Sequence, residues 1–153
     1  MPLYFAFDEL MDPARMAQLS PLVKSLGQGR LPRHHLIVMS GARVTIRRDP
    51  LREVHGTLYE VPMAAMPLLD RRFSGASKII QPIIGQGGSK RALMHVPPET
   101  LQAASQQDRA RLVEAARAAS LSDAYCEEIE TGQIARRKPG TPLFKAPSST
   151  FKS

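Results

Sequence analysis

The sequence has very little cysteine and no long apolar run. Cys126 is the only cysteine among 153 residues, which excludes an intrachain disulfide and a zinc site built from cysteine alone. No apolar stretch approaches the ~20 residues that a membrane-spanning helix needs. Asp8, Glu9 and Asp12 interrupt the N-terminal segment, and no basic region precedes it, so we expect no secretory signal peptide. These absences favour a cytoplasmic globular domain without membrane association.

Motifs for metal, phosphate and serine-hydrolase chemistry are also missing. His34 and His35 are adjacent, so on a strand they point to opposite faces and cannot hold one ion together. His55 and His95 lack a ligand-spaced partner. The glycine-rich segment 85–89 lacks the lysine–serine ending of a P-loop and joins two strand-like segments. No Gly-x-Ser-x-Gly elbow occurs. We therefore expect neither a metal nor another cofactor.

The basic charge is concentrated at the C-terminus. The net charge is +7, but the first 135 residues carry 16 basic and 14 acidic side chains. The segment 136–153 has five basic residues, no acidic one, and is rich in proline and serine. We predict a domain at residues 1–135 followed by a tail at 136–153. The tail is either a solvated terminus or a polyanion-binding arm. Because no nucleic-acid-binding motif accompanies it, nucleic acid is not the expected partner.

Local patterns predict an α+β fold. Helix starts are marked by Asp12 before Pro13 and by a capping box of Ser105 and Asp108, and Gly132 marks a helix end. Alternating or continuous apolar segments indicate strands. Strands are predicted at 2–7, at 31–48 as either two strands around a turn at Ser40-Gly41 or one kinked strand, at 54–61, and in a hairpin of 78–84 and 90–96. Helices are predicted at 14–19, 62–69, 106–119 and 123–131.

Three segments resemble, in order and spacing, motifs of the gamma-glutamylcyclotransferase-like superfamily. Residues 4–12, Tyr-Phe-Ala-Phe-Asp-Glu-Leu-Met-Asp, resemble its Tyr-Phe-Ala-Tyr-Gly-Ser-Asn opening. Residues 55–61 are similar to its Gly-x-Leu-Tyr strand, and Leu69-Asp70-Arg71 resembles the start of its Leu-Asp-Arg-Tyr-Glu-Gly signature. The resemblance covers residues 2–131. It implies a small mixed β-barrel with flanking helices.

The resemblance also implies a small-molecule pocket. The loop after the first strand and the segment after Leu69-Asp70-Arg71 would bound this pocket. In active members, a glutamate takes a proton from the α-amine of a γ-glutamyl group. The freed amine then attacks the γ-carbonyl and releases 5-oxoproline. The candidate ligand-binding residues on this basis are Tyr4, Phe7, Asp8, Glu9, Leu10 and Asp70.

The chain departs from the motif at its chemical positions. Asp8, Glu9 and Leu10 stand where the motif has Gly-Ser-Asn, and Phe73 stands where it has the catalytic glutamate. Phenylalanine accepts no proton, and an aspartate side chain fills the space that glycine leaves for a ligand. Asp8 and Glu9 would also repel an anionic glutamyl group by several kcal/mol, at about 4 Å and intermediate dielectric. The resemblance therefore predicts a protein without cyclotransferase activity.

Three functions remain open at this point. The first is a small-ligand-binding or interaction module without turnover. The second is an enzyme of altered cyclotransferase or amide chemistry, with Glu9, Asp8 or Asp70 as a relocated base. Glu9 is the preferred surrogate because it lies at the pocket mouth, whereas Asp70 is better explained by an ion pair with Arg71 or Arg43. The third is polyanion binding through the tail. The exposed strand faces are compatible with a homodimer.

Overall fold

A computed structural model describes residues 2–133 of the chain. The predicted domain boundary at residue 135 and the basic tail lie outside these residues. The strands are β1 Leu3–Ala6, β2 Lys24–Met39, β3 Arg43–Glu60, β4 Ser77–Gly85 and β5 Gly88–Val96. The helices are α1 Pro13–Leu19, α2 Met66–Arg72, α3 Gln106–Ala118 and α4 Asp123–Thr131, with 3-10 turns at Glu9–Met11, Ser40–Ala42 and Met63–Ala65.

The five strands close into a barrel in the order β1-β3-β2-β4-β5. β1 runs antiparallel to β3 and parallel to β5, where Tyr4 pairs with Leu93. The other strand pairs are antiparallel. This architecture confirms the predicted α+β class and the small mixed barrel with flanking helices. Among the helices of residues 2–133, none is both long and apolar enough to cross a bilayer.

The second and third strands are longer than the sequence pattern predicts. Residues 31–48 and 54–61 were expected to form separate strands, but β2 begins at Lys24 and β3 continues for 18 residues. The expected gap between residues 48 and 54 is an irregularity within β3. There the pairing with β2 shifts register, since Pro32 lies opposite Glu53 whereas His34 lies opposite Arg48. Pro50 lies inside that irregular stretch, where the ladder does not require the N–H that proline lacks. The proline therefore interrupts the pattern without ending the strand.

The start of the second helix also differs from the prediction. A helix was expected from residue 62, but residues 63–65 form a 3-10 turn and α2 begins at Met66. Pro67 stands in the first turn of α2, where a missing N–H costs no hydrogen bond. The other predicted helices agree with the structure within a residue or two. Asp12 accepts from the Ala14 N–H at the start of α1.

Gly56 allows β1 to close the barrel. A Cβ atom at this position would lie 2.2 Å from the Ala6 carbonyl oxygen and 3.1 Å from the Phe5 ring. No side chain fits there, because backbone atoms cannot move aside without breaking the β1–β3 ladder. The glycine of the motif-like segment 55–61 is thus a packing requirement of the fold.

Both faces of β1 are buried, in two different hydrophobic clusters. Because side chains alternate along a strand, Phe5 and Phe7 enter one cluster while Tyr4 and Ala6 enter the other. The first cluster fills the barrel and is covered by α3 and α4, with Leu112 and Ile129 buried. The second cluster lies beneath α1 and α2. The loop that follows β1 is consequently held between the barrel and its flanking helices.

Candidate functional site

A cavity of about 380 Å³ opens at the end of β1. Its wall consists of β1 with the loop at residues 7–9, the turn at 41–44, the segment 72–76 after α2, and His95 on β5. Both segments that the sequence resemblance assigned to a pocket lie in this wall. The volume is in the range of small-molecule sites.

Asp8 is a largely buried carboxyl group in this wall, with 13% of its side chain exposed. Its Oδ1 accepts from the Leu10 N–H at 3.1 Å and caps the following 3-10 turn, and its Oδ2 lies 3.8 Å from the Arg72 guanidinium. Burial raises the pKa of Asp8 from 3.8 to about 6, although Arg72 and the cap hydrogen bond act in the opposite direction. A carboxyl that changes protonation near neutral pH inside a cavity is typical of functional sites.

Glu9 is also buried, but guanidinium groups hold it in place. One carboxylate oxygen accepts from Arg15 of α1, and the other accepts from Arg111 of α3 at 2.9 Å. The residue thereby ties the β1 loop to two helices. Asp8 also faces the Arg72 guanidinium at 3.8 Å, so cations lie beside both carboxylates, whose repulsion of an anionic ligand stays a prediction. Sequence alone could not reveal the contact of Glu9 with α3, because Arg111 is 102 residues from Glu9.

A hydrogen-bonded chain of three side chains borders the cavity. The Tyr4 hydroxyl lies 2.7 Å from Nδ1 of His95, and Nε2 of His95 lies 2.9 Å from Oδ1 of Asp70. Tyr4 and His95 are buried, whereas Asp70 is at the surface and also accepts from Lys78 at 3.1 Å. The chain therefore connects the cavity wall with solvent.

The protonation states of this chain follow from its surroundings. Burial lowers the pKa of His95, so the imidazole is neutral at pH 7. Hydrogen bonds from His95 and Lys78 lower the pKa of Asp70, so that group is a carboxylate. Burial, followed by the charge of Asp8, raises the pKa of Tyr4 well above its usual range, so the phenol keeps its proton.

Phe73 packs against His95 instead of offering a base. Its ring stacks on the imidazole with a centroid distance of 4.9 Å and an interplanar angle of 15°. The guanidinium carbon of Arg72 lies 5.7 Å from the centre of the Phe73 ring. The residue that the sequence resemblance aligns with the family glutamate thus packs flat against a histidine at the cavity wall.

The cavity includes most of the residues that the sequence analysis singled out. Its wall contains Tyr4, Phe7, Asp8, Glu9 and Phe73. Two further candidates lie elsewhere. Leu10 is buried in the cluster beneath α1 and α2. Asp70 reaches the cavity only through His95, and its cationic partner is Lys78 in place of the expected Arg71 or Arg43.

His95 is the residue that sequence reasoning missed. It lies 91 residues from Tyr4, in a strand pattern that looks like ordinary core. Only the parallel pairing of β1 with β5 brings the two side chains together. No local motif signals this contact.

Comparison with known proteins identifies the fold. No family model matches the sequence, and no curated protein does. Among solved structures, a protein named gamma-glutamyl cyclotransferase superposes with a TM-score of 0.75 at 20% identity, covering 89% of each chain. The uncharacterized human protein loc79017 has a TM-score of 0.75 at 19% identity, covering 89% of this chain and 90% of that one. This chain has a gamma-glutamyl cyclotransferase-like fold.

A third solved structure extends the comparison. YkqA from Bacillus subtilis matches with a TM-score of 0.68 at 17% identity, covering 86% of this chain and 53% of its own. At such identities the likeness concerns the backbone, and the chemistry depends on the side chains of each protein. In this chain the cavity is lined by the side chains of Asp8 and His95 among others.

Proposed function

We propose that the chain binds a small amine-bearing molecule in the cavity and performs altered amide chemistry there, with Asp8 as the acid–base group. The observation that carries this proposal is the largely buried Asp8 carboxyl, whose pKa is raised to about 6 at the wall of a ligand-sized cavity. Asp8 is favoured over Glu9 because two guanidinium groups already engage Glu9.

The proposed reaction follows the logic of the family with a different base. Ionised Asp8 takes a proton from the ligand ammonium, and the freed amine nitrogen attacks an amide carbonyl carbon of the same molecule. The C–N bond of that amide then breaks. The departing nitrogen receives the proton held by Asp8 and the second proton that the attacking nitrogen releases through Asp8, so the products are a neutral lactam and an ammonium ion. Arg43 and Arg72 in the wall provide positive charge for a ligand carboxylate.

Binding without turnover is the second candidate function. It is favoured by Phe73, which has no proton-accepting group at the position of the family glutamate. In this case the cavity holds an amine-bearing ligand next to Asp8 but leaves its amide intact. The two candidates share a ligand class and differ in whether a product forms.

The test is an assay of 5-oxoproline release from γ-glutamyl dipeptides, together with calorimetric binding of the same compounds. If Asp8 is the base, wild-type protein releases product and Asp8→Asn lowers kcat by about 100-fold or more. The control is Asp12→Asn, which makes the same change at the cap of α1 outside the cavity and should leave both measurements unchanged. Phe73→Glu, which restores the family residue, should add turnover if the cavity binds without reacting.

The results separate the candidates. Product formation that depends on Asp8 supports the enzyme, and binding without product supports the second candidate. Absence of both binding and turnover across a dipeptide series would contradict the proposed ligand class.

A further inference from the structure

The Tyr4–His95–Asp70 chain determines which way the Tyr4 hydroxyl points. A carboxylate can only accept hydrogen bonds, so the 2.9 Å contact with Asp70 requires the His95 proton to be on Nε2. Nδ1 of the neutral ring then carries a lone pair. The 2.7 Å contact with this nitrogen requires Tyr4 to donate its only proton. The remaining lone pairs of the Tyr4 oxygen are left for other partners.

The surroundings hold this arrangement in place. Phe73 stacks on the imidazole at 4.9 Å and opposes rotation of the ring. Lys78 keeps Asp70 charged from the solvent side. Tyr4 and His95 are 2% and 4% exposed, so water does not compete freely for their hydrogen bond.

We infer that Tyr4 is a specificity-determining residue that presents only a hydrogen-bond acceptor to the cavity, and that His95 and Asp70 are the positioning residues that orient it. Tyr4 and Asp8 both line this cavity, so its wall then offers two acceptors. A ligand group with at least two N–H donors and a positive charge, such as a primary ammonium, would satisfy both. A hydroxyl or a carboxylate at the same place would leave an acceptor unpaired, which is costly in a buried site.

This inference rests on the proposed function for the ligand class, but its first test needs no ligand. Long-range proton–nitrogen NMR spectra of the full 153-residue chain distinguish the protonated from the unprotonated nitrogen of His95. We expect a proton on Nε2 and none on Nδ1 in the wild type. A proton on Nδ1 would overturn the inference, because Tyr4 would then point its hydrogen elsewhere.

The second test measures selectivity for the amine. The probes are γ-glutamyl-alanine and glutaryl-alanine, which differ only in the α-amine. Tyr4→Phe should reduce the affinity ratio of the two probes about tenfold, the size expected for one hydrogen bond to a charged group. Asp70→Ala, which removes the acceptor of the His95 Nε2 proton, should reduce the ratio although Asp70 does not line the cavity, whereas Asp70→Asn, which keeps an oxygen acceptor, should preserve it.

Tyr59→Phe is the matched control. The Tyr59 hydroxyl is equally buried and donates to the Leu10 carbonyl at 2.7 Å, but Tyr59 is not part of the cavity wall. Loss of the Tyr59 hydroxyl should change the affinities for the two probes by the same factor and leave their ratio unchanged. If the preference for the amine-bearing probe survives Tyr4→Phe, the inference about Tyr4 is contradicted but the proposed function is not. If the wild-type protein binds neither probe, the proposed function itself is contradicted.

Discussion

At Asp8, burial and charge act against each other. Its pKa rises from 3.8 to about 6 on folding, so between these values the folded protein holds a proton that the unfolded chain lacks. Stability therefore falls as the pH increases through this window and stays lower above it. The protein tolerates a destabilising carboxylate at its cavity wall, which is common where function requires the charge.

This conflict predicts that Asp8→Asn stabilises the protein. Asparagine keeps an oxygen for the Leu10 N–H and removes the buried charge. At about pH 8 the free energy of unfolding should rise by up to about 3 kcal/mol, the equivalent of the pKa difference, and below about pH 4 the variant should match the wild type. Urea unfolding over this pH range measures the effect. If Asp8→Asn raises the free energy of unfolding equally below about pH 4, the buried charge of Asp8 is not the cause of the stabilisation.

At the level of elements, barrel closure depends on the contact between β1 and β3. β1 has only four residues, yet it supplies side chains to both hydrophobic clusters and leads into the cavity loop. Its approach to β3 is possible because Gly56 has no side chain. The position of the cavity is thus set by one glycine on the neighbouring strand.

Gly56→Ala should therefore be strongly destabilising. The added methyl group would meet the Ala6 carbonyl at 2.2 Å, so we expect a loss of about 3 kcal/mol or more. Gly87→Ala is the matched control, because the new Cβ would meet only the end of the flexible Lys90 side chain at 3.9 Å. Thermal unfolding of both variants measures the difference. Equal Tm values would disprove the packing role of Gly56.

For the molecule as a whole, residues 2–133 contain the closed barrel and both hydrophobic clusters. The basic segment 136–153, which lies outside the described residues, carries +5 of the net charge of +7. Stability and any polyanion affinity should therefore belong to different parts of the chain.

Removal of residues 136–153 tests this division. The free energy of unfolding should change by less than about 0.5 kcal/mol, the usual limit for changes away from the core. Retention on heparin, if the tail is a polyanion-binding arm, should fall steeply with salt and disappear on truncation. A large loss of stability would place part of the folded domain beyond residue 135.

The sequence by itself determined the class of the fold and much of its local structure. Asp12 and Ser105 predict helix starts, because capping depends on atoms within three residues of each other. Segments 4–12 and 55–61 predict the barrel through their resemblance to a family, and the same resemblance predicts that Asp8 and Phe73 stand at altered positions of its motifs. Each of these signals is contained in a short stretch of chain.

Only the tertiary structure decided what those positions do. Glu9 is engaged by Arg111 from a distant helix, and Tyr4 meets His95 only because β1 pairs with β5. Burial, which the fold alone creates, is the main cause of the raised Asp8 pKa. Local chemistry therefore specifies helices and strands, whereas the charge states and hydrogen-bond directions of a site depend on groups that are far apart in sequence and close together only after folding.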